Sequence, residues 1–416
     1  MIGAVTETDT ADKGDGGAAA RRIFLRSGFI WQLCWSSYWT LLFLRVVIDV
    51  GLDPLQLLLL GTAKEITILL AEIPTGVVAD IRSRRQSVII AFLVCGVAAI
   101  GAGVASSFAA LVVSQVVWAF GTTFRSGAET AWFTDEVGSL DVVDRVLPRR
   151  GRAQSIGAIV GLVATAALAA ATGLTPALVT VGALLIAWSG YLTVRMPETG
   201  FERVDASARE RFGQLIGEGL AAARAPGLTV LLTAAVMAGF ASEAVDRLSV
   251  ARLDEIGLQA QRFDPALIMG STAVMQSIGA AAVLSGAAAA LAGRRLVTAL
   301  VWLHLATAVA VAFLARADLL AVALGGVVGA GMMREVARTV TIGWTNHFTD
   351  RHNRATVHSF VGQAGSVGEI SGGIGLGLVA RQVGISAALT ASAVVYLAAS
   401  LVATRGWSRW PHQGPG

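Results

Sequence analysis

The sequence predicts an all-α membrane protein of twelve transmembrane helices in two six-helix bundles, with both termini cytoplasmic. Three observations carry this. The 416 residues are 55% hydrophobic and only 14% charged, against roughly 25% charged in soluble domains. Apolar runs recur along the whole chain, each near the roughly 20 residues that cross a bilayer as a helix. Lipid supplies no hydrogen bonds to the backbone, so such runs must be helices or a closed barrel. Barrel strands are short and alternating, whereas these runs are long and continuous. The third observation is the basic residues. Of 32 Lys and Arg, 22 fall in the tails and alternate loops, four in the opposite loops (Arg252, Arg262, Arg316, Arg381) and six within spans. That asymmetry places both termini in the cytoplasm and requires an even number of spans.

The first-half spans are predicted at 27–49, 55–79, 87–106, 109–136, 153–172 and 176–194, and the second-half spans at 228–250, 265–290, 296–314, 319–346, 355–379 and 385–403. Gly51–Pro54, Gly173–Pro176 and Asp264–Pro265 mark three of the turns. Residues 1–22 are polar and Gly/Ala-rich and read as a disordered cytoplasmic tail. The bundles are expected at 23–195 and 228–404, with a cytoplasmic linker at 196–227 and a tail at 405–416. In the linker, Phe212, Leu215, Ile216 and Leu220 share one helical face and suggest an amphipathic surface helix; a solvated linker is the alternative. Cys34 and Cys95 both lie inside spans, so no disulfide framework is indicated. The net charge of +4 belongs to the topology-setting loops rather than to a nucleic-acid surface.

The two halves carry traces of one another. Gly76 precedes Arg84–Arg85 by eight residues in the loop after span two, and Gly286 precedes Arg294–Arg295 by eight in the loop after span eight. The copies lie 210 residues apart, about half the chain, as duplication of a six-span unit requires. They are unequal, because Asp80 of the first corresponds to Ala290 of the second.

The stretch Glu72-Ile-Pro-Thr-Gly76-Val-Val-Ala-Asp80-Ile-Arg82-Ser-Arg84-Arg85 resembles the signature loop of the major facilitator superfamily of secondary transporters. Gly76, Asp80, Arg84 and Arg85 match it, while Ile81 and Ser83 stand where a basic residue and a glycine are usual. Two further stretches, Arg125-Ser-Gly-Ala-Glu129-Thr-Ala-Trp132 with Asp135, and Arg354-Ala-Thr-Val-His-Ser359, look like a bacterial, efflux-like branch of it. The resemblance implies a cytoplasmic latch made by Asp80, Arg84 and Asp135 that holds the halves in the outward-open state. It also implies a twelve-span transporter working by alternating access. Gly76, lacking a side chain, would let span two approach a span of the other half. Span eleven, with Gly362, Gly365, Gly368, Gly372 and Gly373, is the suitable partner. Drug–proton antiporters of the superfamily carry a Gly-Pro signature in span five; here Gly157 and Gly161 are present but Leu162 stands in place of the proline.

The spans carry many ionisable groups. Glu65 and Glu72 lie on span two, Arg125 and Glu129 on span four, Glu243 and Asp246 on span seven, Arg334 and Glu335 on span ten, and Glu369 on span eleven. A charge facing lipid at mid-bilayer costs at least about 2.5 kcal/mol. These groups are therefore expected to line a cavity or pair between helices, and a buried acid there can carry a proton. Glu129 is the first choice for that role, with Glu243 and Glu369 next; each as half of a fixed ion pair is the alternative. Trp31, Trp35 and Trp39 form a stripe on span one. Trp35, Trp39 and Trp132 are candidate substrate contacts, against packing or interface anchoring.

No phosphate-binding Gly-Lys-Ser loop and no His/Cys cluster is present, so no cofactor, metal or enzymatic chemistry is expected. The sequence thus reads as a monomeric transporter of the plasma (inner) membrane that moves a small molecule together with protons. Proton-coupled efflux of an amphipathic molecule or drug leads. Uptake of a polar metabolite is the first alternative, and a non-transporting sensor or partner-binding protein the second.

Overall fold

A computed structural model of the chain describes residues 8–201, 217, 226–287, 293, 295–348 and 354–408. Among them there are thirteen helices and no strand: α1 (Thr8–Ile48), α2 (Pro54–Ile81), α3 (Arg84–Val104), α4 (Phe108–Arg125), α5 (Ala128–Val137), α6 (Leu140–Thr172), α7 (Leu174–Arg195), α8 (Pro226–Glu255), α9 (Pro265–Ala287), α10 (Arg295–Arg316), α11 (Leu320–Asn346), α12 (Arg354–Gln382) and α13 (Ile385–Thr404). With α4 and α5 counted as one span, these are the twelve expected spans in order. Nine are long and apolar enough to cross a membrane. The other three, α1, α2 and α12, are diluted by Trp and Ser, by Lys64, Glu65 and Glu72, and by Gly and Ser. The amphipathic helix expected around Phe212–Leu220, residues 288–292 of the second signature loop and most of the tail 405–416 lie outside the described residues.

The structure departs from the sequence reading in three places. The expected disordered tail 1–22 is helical from Thr8 onward and continuous with span one. The run Ala18–Ala20 favours helix, and Ala20, Ile23 and Phe24 are buried, so packing holds its last turns. Span four is two helices, α4 and α5. Gly127 takes φ +74, a left-handed conformation that suits only glycine, and the helix cannot run through it. Span five begins at Leu140, not 153; Val143, Val146 and Arg150 are buried, so an expected loop of topology charges is packed helix.

The chain forms two compact units, residues 1–42 with 70–206, and residues 43–69 with 207–416. This cut differs from the expected bundles, which kept spans one and two whole. The cause is glycine packing on α12: Gly373 receives Thr62 and Leu58, and Gly377 receives Leu55. The start of α2 is thereby built into the second unit.

Within the first unit α3 packs along α7, with Gly96 and Gly182 backbone to backbone. α6 meets α1 through Gly157 against the Phe29 carbonyl and Gly161 against the Leu33 carbonyl. Within the second unit α12 meets α8 through Gly368 against the Val236 carbonyl and Gly372 against the Phe240 carbonyl. In each pair a Cβ would collide with backbone. Gly368 and Gly372 follow Gly157 and Gly161 by 211 residues, so the fifth span of each unit uses the same glycine pair to lie on the first. This repeat in packing matches the 210-residue offset of the signature loops.

Candidate functional sites: three charge clusters and an aromatic stripe

At the Arg-rich end of the first unit, Arg84 binds Asp80 at 3.1 Å and Asp135 at 2.5 Å. The structure therefore brings together the three residues of the expected latch. Arg85 does not join them. Its guanidinium donates to the carbonyls of Met196 (2.6 Å) and Thr193 (2.5 Å) at the end of α7. A Cβ on Gly76 would meet no heavy atom within 4 Å, and within the second unit α2 meets α12 at Leu55–Thr62.

Sequence reasoning missed Glu198. Its carboxylate accepts from the Ser83 hydroxyl (2.8 Å) and the Arg85 amide (3.0 Å), and Ser83 in turn caps α3. Glu136 accepts from the amides of Thr199 and Gly200. The indole of Trp132 donates to the Pro197 carbonyl at 2.7 Å and is 1% exposed. Residues 196–200 are thus a strap tying α3, α5 and α7. Trp132 belongs to that packing, which corrects its assignment as a substrate contact: its ring is sealed and its one donor is used. The available signal, Pro197–Glu198–Thr199 directly after span six, reads in sequence as the start of a linker.

Deeper in the first unit, Glu129 is 2% exposed and lies between two arginines, Arg125 and Arg150, both bound to its Oε2. Each guanidinium also stacks on a ring, Arg125 on Trp31 (4.3 Å) and Arg150 on Phe24 (4.1 Å). The set holds two positive charges and one negative. Arg125 and Glu129 pair across the break in span four, at the C-terminal end of α4 and in the first turn of α5, where each suits the helix dipole. Arg150 was missed because the sequence places it among topology-setting arginines. Glu129 is thus held by two arginines, the fixed-pair arrangement that the sequence offered as the alternative to a proton carrier.

The second unit holds the larger cluster. Lys64 contacts Glu65 and lies 4.0 Å from Glu369. Ser366 donates to Glu65 at 2.8 Å. Glu243 accepts from Arg247 at 2.8 Å, in a pair whose side chains are 1% and 5% exposed. Both pack on Gly61, where a Cβ would collide with them. Arg334 grips Asp246 with two hydrogen bonds, 2.6 and 2.7 Å, but this pair stays open, at 25% and 41% exposure. Four acids, Glu65, Glu243, Asp246 and Glu369, thus share three bases, Lys64, Arg247 and Arg334. Each lies well inside its helix, Glu65 eleven residues past Pro54, about 16 Å at 1.5 Å per residue.

Two predicted acids fall elsewhere. Glu72, on the face of Glu65 by spacing, accepts instead from Ser126 in the first unit. Glu335, one residue on from Arg334 and so about 100° round the helix, forms an exposed pair with Arg338.

The tryptophan stripe is real. Trp31, Trp35 and Trp39 all lie within 6.4 Å of Trp118, centroid to centroid. Tyr38 stacks on Trp118 at 3.7 Å and accepts from Gln115 at 2.6 Å. Trp31 and Trp118 are buried, while Trp35 and Trp39 are half-buried.

Comparison with known proteins agrees with this architecture. A crystal structure of the nucleoside transporter NupG has a TM-score of 0.74 at 14% identity, over 95% of this chain and 100% of that one. A mutant of the peptide transporter POT gives 0.75 at 11% identity, over 96% and 99%. A bacterial homolog of the human lysosomal transporter Spinster, inward-facing and unoccupied, gives 0.68 at 14%, over 94% and 96%. At these identities the likeness is one of fold. No curated protein matches the sequence. The family model of the Major Facilitator Superfamily matches residues 24–373, and the chain belongs to that superfamily.

Proposed function

We propose that the chain is a proton-coupled secondary transporter of the plasma membrane, with both termini cytoplasmic. In this reading it acts as a monomer by alternating access and exports a small amphipathic molecule in exchange for protons. The observation that carries this is the charge count of the second-unit cluster, four carboxyls against three cations at mid-span. An uncompensated charge inside an apolar bundle is costly. A proton on one carboxyl removes it, and so does one positive charge on a bound substrate. Two occupants that satisfy the same charge exclude one another, which is what exchange requires.

Glu369 is the acid that would carry the proton. Arg247 is committed to Glu243, Arg334 holds both oxygens of Asp246, and Lys64 sits closest to Glu65. Glu369 has the longer, 4.0 Å approach of Lys64 and a side chain 28% exposed. The efflux direction rests on the amphipathic mixture of acid and aromatic groups in the spans. Glu369→Gln, reconstituted in liposomes, should lose transport driven by an imposed pH gradient by at least about 100-fold and keep counterflow without a gradient. Gradient-driven transport at the wild-type rate would overturn the assignment, and accumulation of substrate together with protons would overturn exchange in favour of uptake.

A further inference from the structure

We infer that the substrate carries a planar aromatic ring with hydrogen-bonding groups along its edge, and that Trp35 and Trp39 stack on it. This rests on the transport reading above and adds the chemical class of the cargo.

The inference starts from one face of α1. Gln32, Trp35, Ser36, Trp39 and Thr40 recur at helical spacing, and all are half-buried. The opposite side, with Cys34, Tyr38, Leu41 and Leu42, is sealed. A half-exposed face of a spanning helix meets either lipid or water. The lipid-type face in this unit is seen on α3, where Ile90, Leu93, Val97 and Val104 are 38–62% exposed and all aliphatic. An amide, two hydroxyls and two indoles do not belong on such a face, because hydrocarbon gives the polar atoms left over from the Gln32–Ser36 bond no partner. The α1 face therefore borders a water-accessible path.

Its chemistry is mixed in a particular way. Trp35 and Trp39 are held from behind: both rings contact Trp118, which is 1% exposed, at 5.9 and 6.1 Å, and they contact each other edge to face at 5.7 Å. Half-buried rings held in this way are a stacking platform, since little rotamer freedom is lost on binding. Gln32, Ser36 and Thr40 recur every four residues as one ridge beside that platform, about 100° round the helix, with Gln32 and Ser36 joined at 3.3 Å. A ring lying on Trp35 presents its edge to these groups. A flexible aliphatic amphiphile uses neither feature.

The test compares two monocations, so that charge is held constant: proflavine, planar with amino groups on its edge, and dodecyltrimethylammonium, which has no ring. Binding to the purified full-length protein is measured by equilibrium dialysis. Wild type should bind proflavine the more tightly. Trp35→Ala and Trp39→Ala should each weaken proflavine at least about tenfold and leave dodecyltrimethylammonium unchanged. Trp35→Phe, which keeps a ring, should stay within about threefold and shows that the fold survives. Equal losses for both probes, no loss for either, or no proflavine binding by wild type would each overturn the inference. The same probes in liposomes separate this inference from the transport reading. If the binding pattern holds but a pH gradient moves neither probe, proton coupling fails and the aromatic site stands. If the gradient moves both probes equally well, coupling stands and the aromatic site fails.

Discussion

The cluster around Glu129 and the cluster around Glu369 sit in the two units of one duplicated fold. The first has one acid under two arginines; the second has four acids over three bases. Arg125 and Arg334 occupy corresponding places, 209 residues apart on the fourth span of each unit. Arg125 lies over the ring of Trp31, whereas Arg334 reaches to α8 and grips Asp246. The same backbone position thus serves a closed lock in one unit and an open ion pair in the other. Duplication supplied the scaffold, and divergence of a few side chains set the sign of the leftover charge.

The largest effect that would break this comparison comes from Glu129→Gln. It leaves two arginines without their counter-charge, and breaking a buried pair costs about 3–5 kcal/mol. A thermal unfolding midpoint well below wild type is expected. The protein that remains folded should keep its response to a pH gradient, because the proposed proton carrier is Glu369 in the other unit. Loss of that response in folded protein would return the proton to Glu129.

Next come the glycine pairs. Gly161→Val and Gly372→Val each drive a side chain into backbone carbonyl, and overpacking of this kind costs about 1–3 kcal/mol or more. Similar losses of thermal stability in the two units would sharpen the case for duplication, and a loss in one alone would weaken it. Gly76→Val, at a position open for 4 Å, should stay within about 0.5 kcal/mol.

The smallest effect is expected from Glu335→Gln, which removes half of an exposed pair; such pairs contribute about 0–1 kcal/mol. A fall in stability as large as that of Glu129→Gln would mean that exposure does not separate the two kinds of pair.

Much of this was legible from the chain. Span number and order follow from apolar runs, whose lengths bilayer thickness fixes, and the Gly76–Asp80–Arg84 element pointed to the superfamily. That Glu65, Glu243, Asp246 and Glu369 avoid lipid could be read from their cost alone. Their nearest partners were legible where spacing is local, as in Glu243–Arg247 four residues apart and Lys64 beside Glu65. Partners on other helices were not: whether Arg150 lies opposite Glu129, or Arg334 opposite Asp246, depends on how helices separated by tens of residues turn toward one another, and periodicity within a helix is silent on that. Arg150 was hidden for another reason: five arginines at 145–152 and 195 look alike in a topology count, and only packing shows that one of them points inward. The break in span four was a single Ser126–Gly127 step within an otherwise helical pattern, which glycine alone does not distinguish from a tolerated residue.

The central claim is that the second unit, and not the first, holds a carboxyl that is neutral because a proton sits on it. Infrared difference spectroscopy of the reconstituted protein at neutral pH reads the carbonyl stretch of a protonated carboxyl directly and needs no substrate. The account predicts this band in wild type and in Glu129→Gln, and its loss in Glu369→Gln. A band missing from wild type, or one that vanishes with Glu129→Gln and survives Glu369→Gln, would contradict it.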